Sequence, residues 1–232
     1  NSTAWAYREH NLVIVNQREI NDSPIIERSW RIRTKKTVIS TGAMERALVF
    51  SNNDRPGVML ASAIQGYINR YAVKPGNDVV IFTNNDSAYH CVQDFLDSDI
   101  NVVAIVDTRS EISQKILATV PDIKIFTEAV IKNIIGYKKV KSVVIESTID
   151  QKLQTISCDL VAHSGGWNPT IHLHSQSRGT VRFDENIAAF VPDKNVQNSS
   201  VIGAANGSFV FSKIVGETQE IVKEIVSDLN LN

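Results

Sequence analysis

The sequence predicts an α/β fold of nested parallel sheets that also carries an antiparallel hairpin or meander. Three observations predict it. Strand, helix and strand follow one another over residues 78–106, a βαβ unit whose crossover is expected to be right-handed and whose sheet is expected to be parallel. Two β-rich runs, Ala129–Ile135 and Lys139–Glu146, flank Gly136-Tyr137-Lys138, the pattern of a hairpin. Apolar strands on either side of this block end in small-residue turns: Thr41-Gly42-Ala43, Ser164-Gly165-Gly166 and Gly203-Ala204-Ala205-Asn206-Gly207. The order implies two Rossmann-like units, an outer one from residues 1–72 and 155–232 and an inserted one from residues 73–154.

Along the chain, Asn11–Val15 is a short apolar run and Gln17–Pro24 a polar turn containing Asn21-Asp22-Ser23-Pro24. Trp30, Ile32 and Thr34 then alternate with Arg31, Arg33 and Lys35, so one strand face is expected to pack and the other to be wet. Thr37–Ser40 reads as a short buried strand. In Val58–Arg70, Leu60, Ala61, Ile64, Tyr67 and Ile68 recur at helical spacing. Lys74-Pro75-Gly76-Asn77 is a turn into the strand Asp78–Phe82. Ser87–Asp97 reads as a helix with Ala88, Cys91, Val92, Phe95 and Leu96 inward, and Asn101–Val106 as a second buried strand. A short helix is expected at Ser113–Thr119 and a third strand at Ile123–Phe126. Gln151–Ile156 can join the hairpin, and Asp159–His163 is a further buried strand. Ile171–Asn198 reads as polar and loop-like, Val201-Ile202 as a short strand. Phe209–Asn230 reads as a helix with the stripe Ile214, Val215, Ile221, Val222, Ile225 and Leu229.

Composition narrows the function classes. Among 232 residues, 24 basic and 25 acidic side chains leave a formal net charge of -1, which supplies no electrostatic argument for nucleic acid or an acidic membrane. No apolar run reaches the length needed to span a bilayer. Two cysteines, Cys91 and Cys158, make no disulfide framework, and a reduced cytoplasmic setting is expected. The chain begins Asn-Ser-Thr in mid-pattern, as a piece of something longer would.

The turn of the central βαβ unit carries the most chemistry. A dinucleotide-binding unit joins its first strand to its helix by Gly-x-Gly-x-x-Gly, so that backbone can approach a pyrophosphate at the helix N-terminus. Here those positions read Thr83-Asn84-Asn85-Asp86-Ser87-Ala88. Ala88 keeps the packing position, but Thr83 and Asn85 place side chains where backbone meets phosphate, and Asp86 adds a carboxylate. One reading is a helix cap by Asp86 or Ser87 over an empty site; the other is a divergent site that takes a nucleotide in another pose. Repulsion between Asp86 and a pyrophosphate favours the first. Asp107 stands where an acid would meet a ribose.

Thr37-Val38-Ile39-Ser40-Thr41-Gly42-Ala43 resembles the strand and turn of two-domain FAD/NAD(P)-binding flavoproteins of the pyridine nucleotide-disulfide oxidoreductase type. Val201–Gly207 resembles that family's later Gly-Asp segment, with Asn206 in place of Asp, and Asp159–Pro169 its return strand. In that family the second dinucleotide domain is inserted into the first. More narrowly, Tyr7–Asn11, Gly42–Arg46 through Asn52–Met59, Phe82–Tyr89 and Ser164–Pro169 resemble the alpha subunit of heterotetrameric sarcosine oxidases. That resemblance implies a complex with beta, gamma and delta subunits that oxidatively demethylates sarcosine to glycine. It implies NAD in the alpha subunit, FAD and FMN in the complex, and no cofactor held tightly by this stretch alone, which is expected to be inactive in isolation. It places Thr41, Gly42, Ala43, Gly203, Asn206 and Gly207 along the cofactor. The Gly-x-Gly-x-x-Gly strand and helix of the first domain is absent from the chain, and with it the main phosphate cradle. Another flavin- or NAD(P)-dependent amine or opine oxidoreductase and a non-catalytic interaction module remain the alternatives.

Other candidates read as structural. His172 and His174 lack a carboxylate or cysteine at metal-ligand spacing, and His10 and His163 stand alone. Ser164 lacks the context of a nucleophile elbow. Cys91 and Cys158 are expected in the core, and Trp167 as a packed indole.

Overall fold

The computed structural model describes residues 1–18 and 26–230; most of the turn expected at Gln17–Pro24 lies outside the described residues. The chain divides into two compact units, Asn1–Met44 with Trp167–Asn232, and Glu45–Gly166. Residues 45–72 and 155–166, expected in the outer unit, therefore fall in the inserted one. Their strands are hydrogen-bonded into its sheet, which shifts the boundary outward on both sides.

The inserted unit is built on a five-stranded parallel sheet. Its elements are β1 (Val58–Leu60), α1 (Ala61–Tyr71), β2 (Asp78–Thr83), α2 (Cys91–Asp97), β3 (Asn101–Asp107), α3 (Gln114–Leu117), β4 (Ile125–Phe126), β5 (Ala129–Ile135), β6 (Ser142–Ser147), β7 (Leu153–Ser157) and β8 (Leu160–Ser164). The sheet order is β1-β8-β2-β3-β4, and β5, β6 and β7 form the antiparallel meander. The last strand is thus threaded between the first two, with Val161 opposite both Val58 and Val80. This pairing explains why α1 starts at Ala61 and not at Val58: three residues of helical spacing are drawn into the sheet, where each gains ladder hydrogen bonds.

Strand period 2 sorts the core into two layers. Val79 and Ile81 of β2 pack with Ile64, Val92, Phe95 and Ile105 under the helices. Val80 and Phe82 face the other way, against Ile131, Ile145 and Phe50 on the meander side. Coverage of both faces is what a parallel sheet requires. At the amino ends of β2 and β8, the Asp159 carboxylate accepts the N–H groups of Asn77 (2.8 Å) and Asp78 (2.9 Å). Partial burial opposes its ionisation, but these hydrogen bonds outweigh it and hold its carboxyl below the usual range.

The outer unit has an antiparallel sheet of Ser2–Arg8, Leu12–Arg18 and Glu27–Arg33, and a parallel pair of Thr37–Ile39 with Ser199–Val201. Its small core holds Tyr7, Ile39, Val201 and Ala205. The face expected to pack at Trp30 and Ile32 stays exposed within this unit. Ile171–Asn198 is not loop-like: it forms a helix at His172–Gln176 and a hairpin of Val181–Asp184 with Ala189–Pro192. Those strands are four residues long with polar neighbours, so they depend on cross-strand contacts such as Phe183 against Phe190 for their order. The final helix spans Phe211–Asp228, and none of its residues is fully buried.

Candidate functional site

In open parallel sheets, ligands bind beyond the carboxyl ends of the strands, where the strand order reverses. In the inserted unit that place lies between β2 and β8, and the protein's own side chains fill it. Asn85 caps the turn, not Asp86 or Ser87 as expected. Its Oδ1 accepts the Ser87 N–H (3.0 Å) and the Ser87 hydroxyl (2.5 Å). Its Nδ2 donates across the crevice to the Ser164 carbonyl (3.1 Å) and to Thr83 Oγ1 (3.2 Å). The N–H that would meet a phosphate is thereby satisfied by a carboxamide. The helix begins as a 3₁₀ turn, Asp86–His90, before α2, which moves the cap one residue earlier than the spacing suggested.

Asp107, at the end of β3, is fully buried, and its carboxylate is surrounded. Tyr89 donates its hydroxyl at 2.8 Å, and Arg109 donates its backbone N–H at 3.0 Å and its Nη2 at 2.8 Å. The same guanidinium reaches Asp86 through Nη1 at 2.7 Å. Burial and the adjacent carboxylate push the Tyr89 phenol well above its ordinary value, and hydrogen bonding to Asp107 raises Arg109. Asp107 is thus committed to donors from two internal residues, Tyr89 and Arg109, and is not free for a ribose. Sequence reading missed Arg109. The signal was an arginine two residues beyond an acid that ends a strand, but such pairs are common, and only the fold brings Asp86 to the same cation.

The outer unit arranges its residues differently. Val201 lies opposite Ile39, and the Ile202 N–H donates to the Ile39 carbonyl at 3.0 Å. This register brings Thr41, Gly42 and Ala43 and the turn Gly203–Gly207 to the carboxyl ends of two adjacent parallel strands. Gly42 has φ +73°, and a Cβ there meets no atom within 4 Å, so its backbone borders open space. Gly203 has φ +67°, and a Cβ there would lie 3.6 Å from Ile214, in ordinary contact. Gly207 differs: a Cβ would lie 2.8 Å from Val191, so close packing accounts for that glycine. Thr41 donates its hydroxyl to the Thr170 carbonyl at 2.6 Å. Asn206 is half-buried, and its carboxamide makes no hydrogen bond among the described residues. Residues with bare backbone beside open space fit the approach of a nucleotide. The sequence contains no Gly-x-Gly-x-x-Gly turn to hold a pyrophosphate.

The remaining candidates fall into structural places. Burial pushes the Cys91 and Cys158 thiols up to about 12, which removes the thiolate needed for chemistry. His174 is fully buried, and its Nε2 lies 2.8 Å from the Thr180 carbonyl. Among the described residues no group of His, Cys, Asp and Glu is placed to hold a metal ion. No described helix is long and apolar enough to cross a membrane.

His163 is 6% exposed, and its Nδ1 accepts the Leu48 N–H at 3.1 Å. Burial lowers its pKa below the ordinary 6.5, so the unfolded chain takes up this proton first. The contribution of His163 to stability is therefore complete above pH 6.5 and declines as the pH drops from there toward the folded-state pKa. Urea titrations at stepped pH should show this slope in the native sequence and a flatter one in His163→Gln; equal slopes would refute it.

Over 188 residues the chain is 40% identical to the sarcosine oxidase subunit alpha of Corynebacterium sp. (strain U-96), covering 78% of this chain and 19% of that protein. Over 206 residues it is 36% identical to the corresponding subunit of Rhizobium meliloti (strain 1021), covering 89% of this chain and 20% of that protein. This chain resembles a stretch of the sarcosine oxidase alpha subunit. It spans about a fifth of the length of these curated relatives. Protein-family models give no match. The fold is also that of thioredoxin reductase from T. acidophilum, with a TM-score of 0.66 and 18% identity over 92% of this chain and 68% of that one. A FAD-dependent pyridine nucleotide-disulphide oxidoreductase from Desulfovibrio vulgaris matches with a TM-score of 0.59 and 16% identity, over 87% of this chain and 52% of that one. The α/β fold of Rossmann-like parallel sheet with an antiparallel meander, expected from the sequence, is thus the fold this chain shares with those structures.

Proposed function

We propose that this chain is the dinucleotide-binding and structural portion of a sarcosine oxidase alpha subunit, working in a cytoplasmic complex that oxidatively demethylates sarcosine to glycine. In that complex an FAD outside this chain would supply the oxidation of the amine and an FMN would receive the electrons, and the beta, gamma and delta subunits are its partners. The alpha subunit holds NAD in the outer unit, with Thr41, Gly42, Ala43, Gly203 and Asn206 beside it. The inserted unit keeps the βαβ shape without a cofactor.

One observation carries this reading: of the two crevices at strand carboxyl ends, the outer one is bordered by the open backbone of Gly42, whereas the inserted one is bridged by Asn85. These residues contribute backbone approach and a free carboxamide at the outer turn. NAD, when bound, would supply an adenine dinucleotide whose phosphates need donors that these turns do not provide alone. Consequently the stretch by itself is expected to bind weakly and to turn over no sarcosine.

Calorimetric titration of the intact protein with NAD tests the assignment. The expected result is micromolar binding that Gly42→Val weakens about tenfold or more, since a side chain would enter the open space, while Asn85→Ala leaves it unchanged. Binding lost in Asn85→Ala and kept in Gly42→Val, or no NAD binding at all, would overturn the assignment.

A further inference from the structure

We infer that Glu217 is the positioning residue of the outer nucleotide turn, holding the Gly203–Ser208 segment from the last helix in the shape that receives NAD. The inference rests on the reading above and adds the residue that organises the site.

The carboxylate grips both ends of the turn. Oε2 accepts the Gly203 N–H at 3.1 Å, and Oε1 accepts the Ser208 hydroxyl. Inside that fork the turn closes on itself, with the Ser208 N–H donating to the Gly203 carbonyl and the Gly207 N–H to the Ala204 carbonyl, each at 3.1 Å. Gly203 and Ser208 are buried, so their polar groups require partners, and Glu217 supplies them. Hydrogen bonds to an ionised acceptor are also stronger than neutral ones.

The helix that carries Glu217 is bound to the strand pair by carboxylates at two points. At its far end, Glu224 and Asp228 accept from Lys36 Nζ at 3.1 and 3.3 Å, directly before the strand Thr37–Ile39. At its near end, Glu217 holds Gly203, two residues beyond the strand Ser199–Val201. No residue of this helix is fully buried, so the polar ties add to the contacts of its half-buried face. The arrangement leaves the Gly203 N–H engaged and the Asn206 carboxamide free. A nucleotide at this turn would be met by Asn206 and by carbonyl oxygens, in a geometry that depends on Glu217.

The test is NAD binding to the intact protein, by calorimetry below the melting temperature of every variant, with the apo melting temperature measured in parallel. Glu217→Ala should raise the Kd about tenfold or more, as expected for loss of a hydrogen-bonded charged anchor. Glu217→Gln should restore binding to within about threefold of the native value, because its Oε1 still accepts from Gly203 and its Nε2 donates to Ser208. Should Glu217→Ala fail to fold, Ser208→Ala removes one arm of the fork and should still raise the Kd. Native-like NAD affinity in folded Glu217→Ala or Ser208→Ala overturns the inference, as does a Glu217→Gln protein as weak as Glu217→Ala. If the native protein binds no NAD, the assignment of the outer unit falls and takes this inference with it; native binding with unaffected variants defeats the inference alone.

Discussion

Arg109→Ala is expected to destabilise the inserted unit by about 3 kcal/mol, the low end of the cost of breaking a buried ion pair, since Asp107 is fully buried while the Arg109 side chain is 29% exposed. Asp107 is fully buried, and Arg109 supplies both its charge balance and most of its hydrogen bonds, leaving only Tyr89 and the backbone N–H of residue 109 when the guanidinium is gone. A buried carboxylate left without its cation lowers stability. The contribution of Asp86 is smaller because its side chain is 47% exposed. Denaturant unfolding followed by far-ultraviolet circular dichroism would measure the loss. The double variant Asp107→Ala/Arg109→Ala should cost less than the two single changes together, since it removes the stranded charge as well as its partner. Strict additivity would show that the cluster is not coupled.

Phe95→Ala should cost a similar amount, about 3–5 kcal/mol, through a cavity and not through charge. Phe95 is fully buried among Ile81, Val92, Ile100 and Ile105. It is also the main anchor of a seven-residue helix, and its carbonyl accepts the N–H groups of Ser98 (3.1 Å) and Ile100 (2.9 Å) at the turn into β3. So short a helix has little stability of its own and depends on this packing. Phe95→Leu, which keeps much of the volume, should cost under about 1.5 kcal/mol. Melting temperatures of the two variants decide the matter: equal losses would mean that the backbone, not the ring, does the anchoring.

These two residues were legible to different degrees. Phe95 announced itself through helical spacing with Ala88, Cys91 and Val92. Arg109 did not, because its role depends on Asp86 and Tyr89, which come from the far side of a crossover. The displaced cap shows the same limit: residues 83–88 signalled a blocked phosphate turn, but Asn85 could be recognised as the blocking group only once Ser164, at the end of β8, stood across the crevice. Trp30 and Ile32 alternate as a half-buried strand should, yet they stay 44% and 42% exposed, since alternation reports a face suited to burial and not its partner. The four-residue strands at Val181–Asp184 and Ala189–Pro192 fell below any periodic signal.

Local pattern was sufficient for the parallel α/β class, the central βαβ unit, the meander, the buried cysteines and the loss of the glycine-rich turn. Each depends on residue type and spacing over a window shorter than two elements. Where one unit stops and the other starts, which side chain fills the inserted crevice, and that Glu217 reaches back to Gly203 all depend on contacts between residues far apart in the chain. Backbone pairing settles these: insertion of β8 beside β2 carries Val58–Leu60 into the same sheet, and no hydropathy pattern encodes which two strand edges will meet.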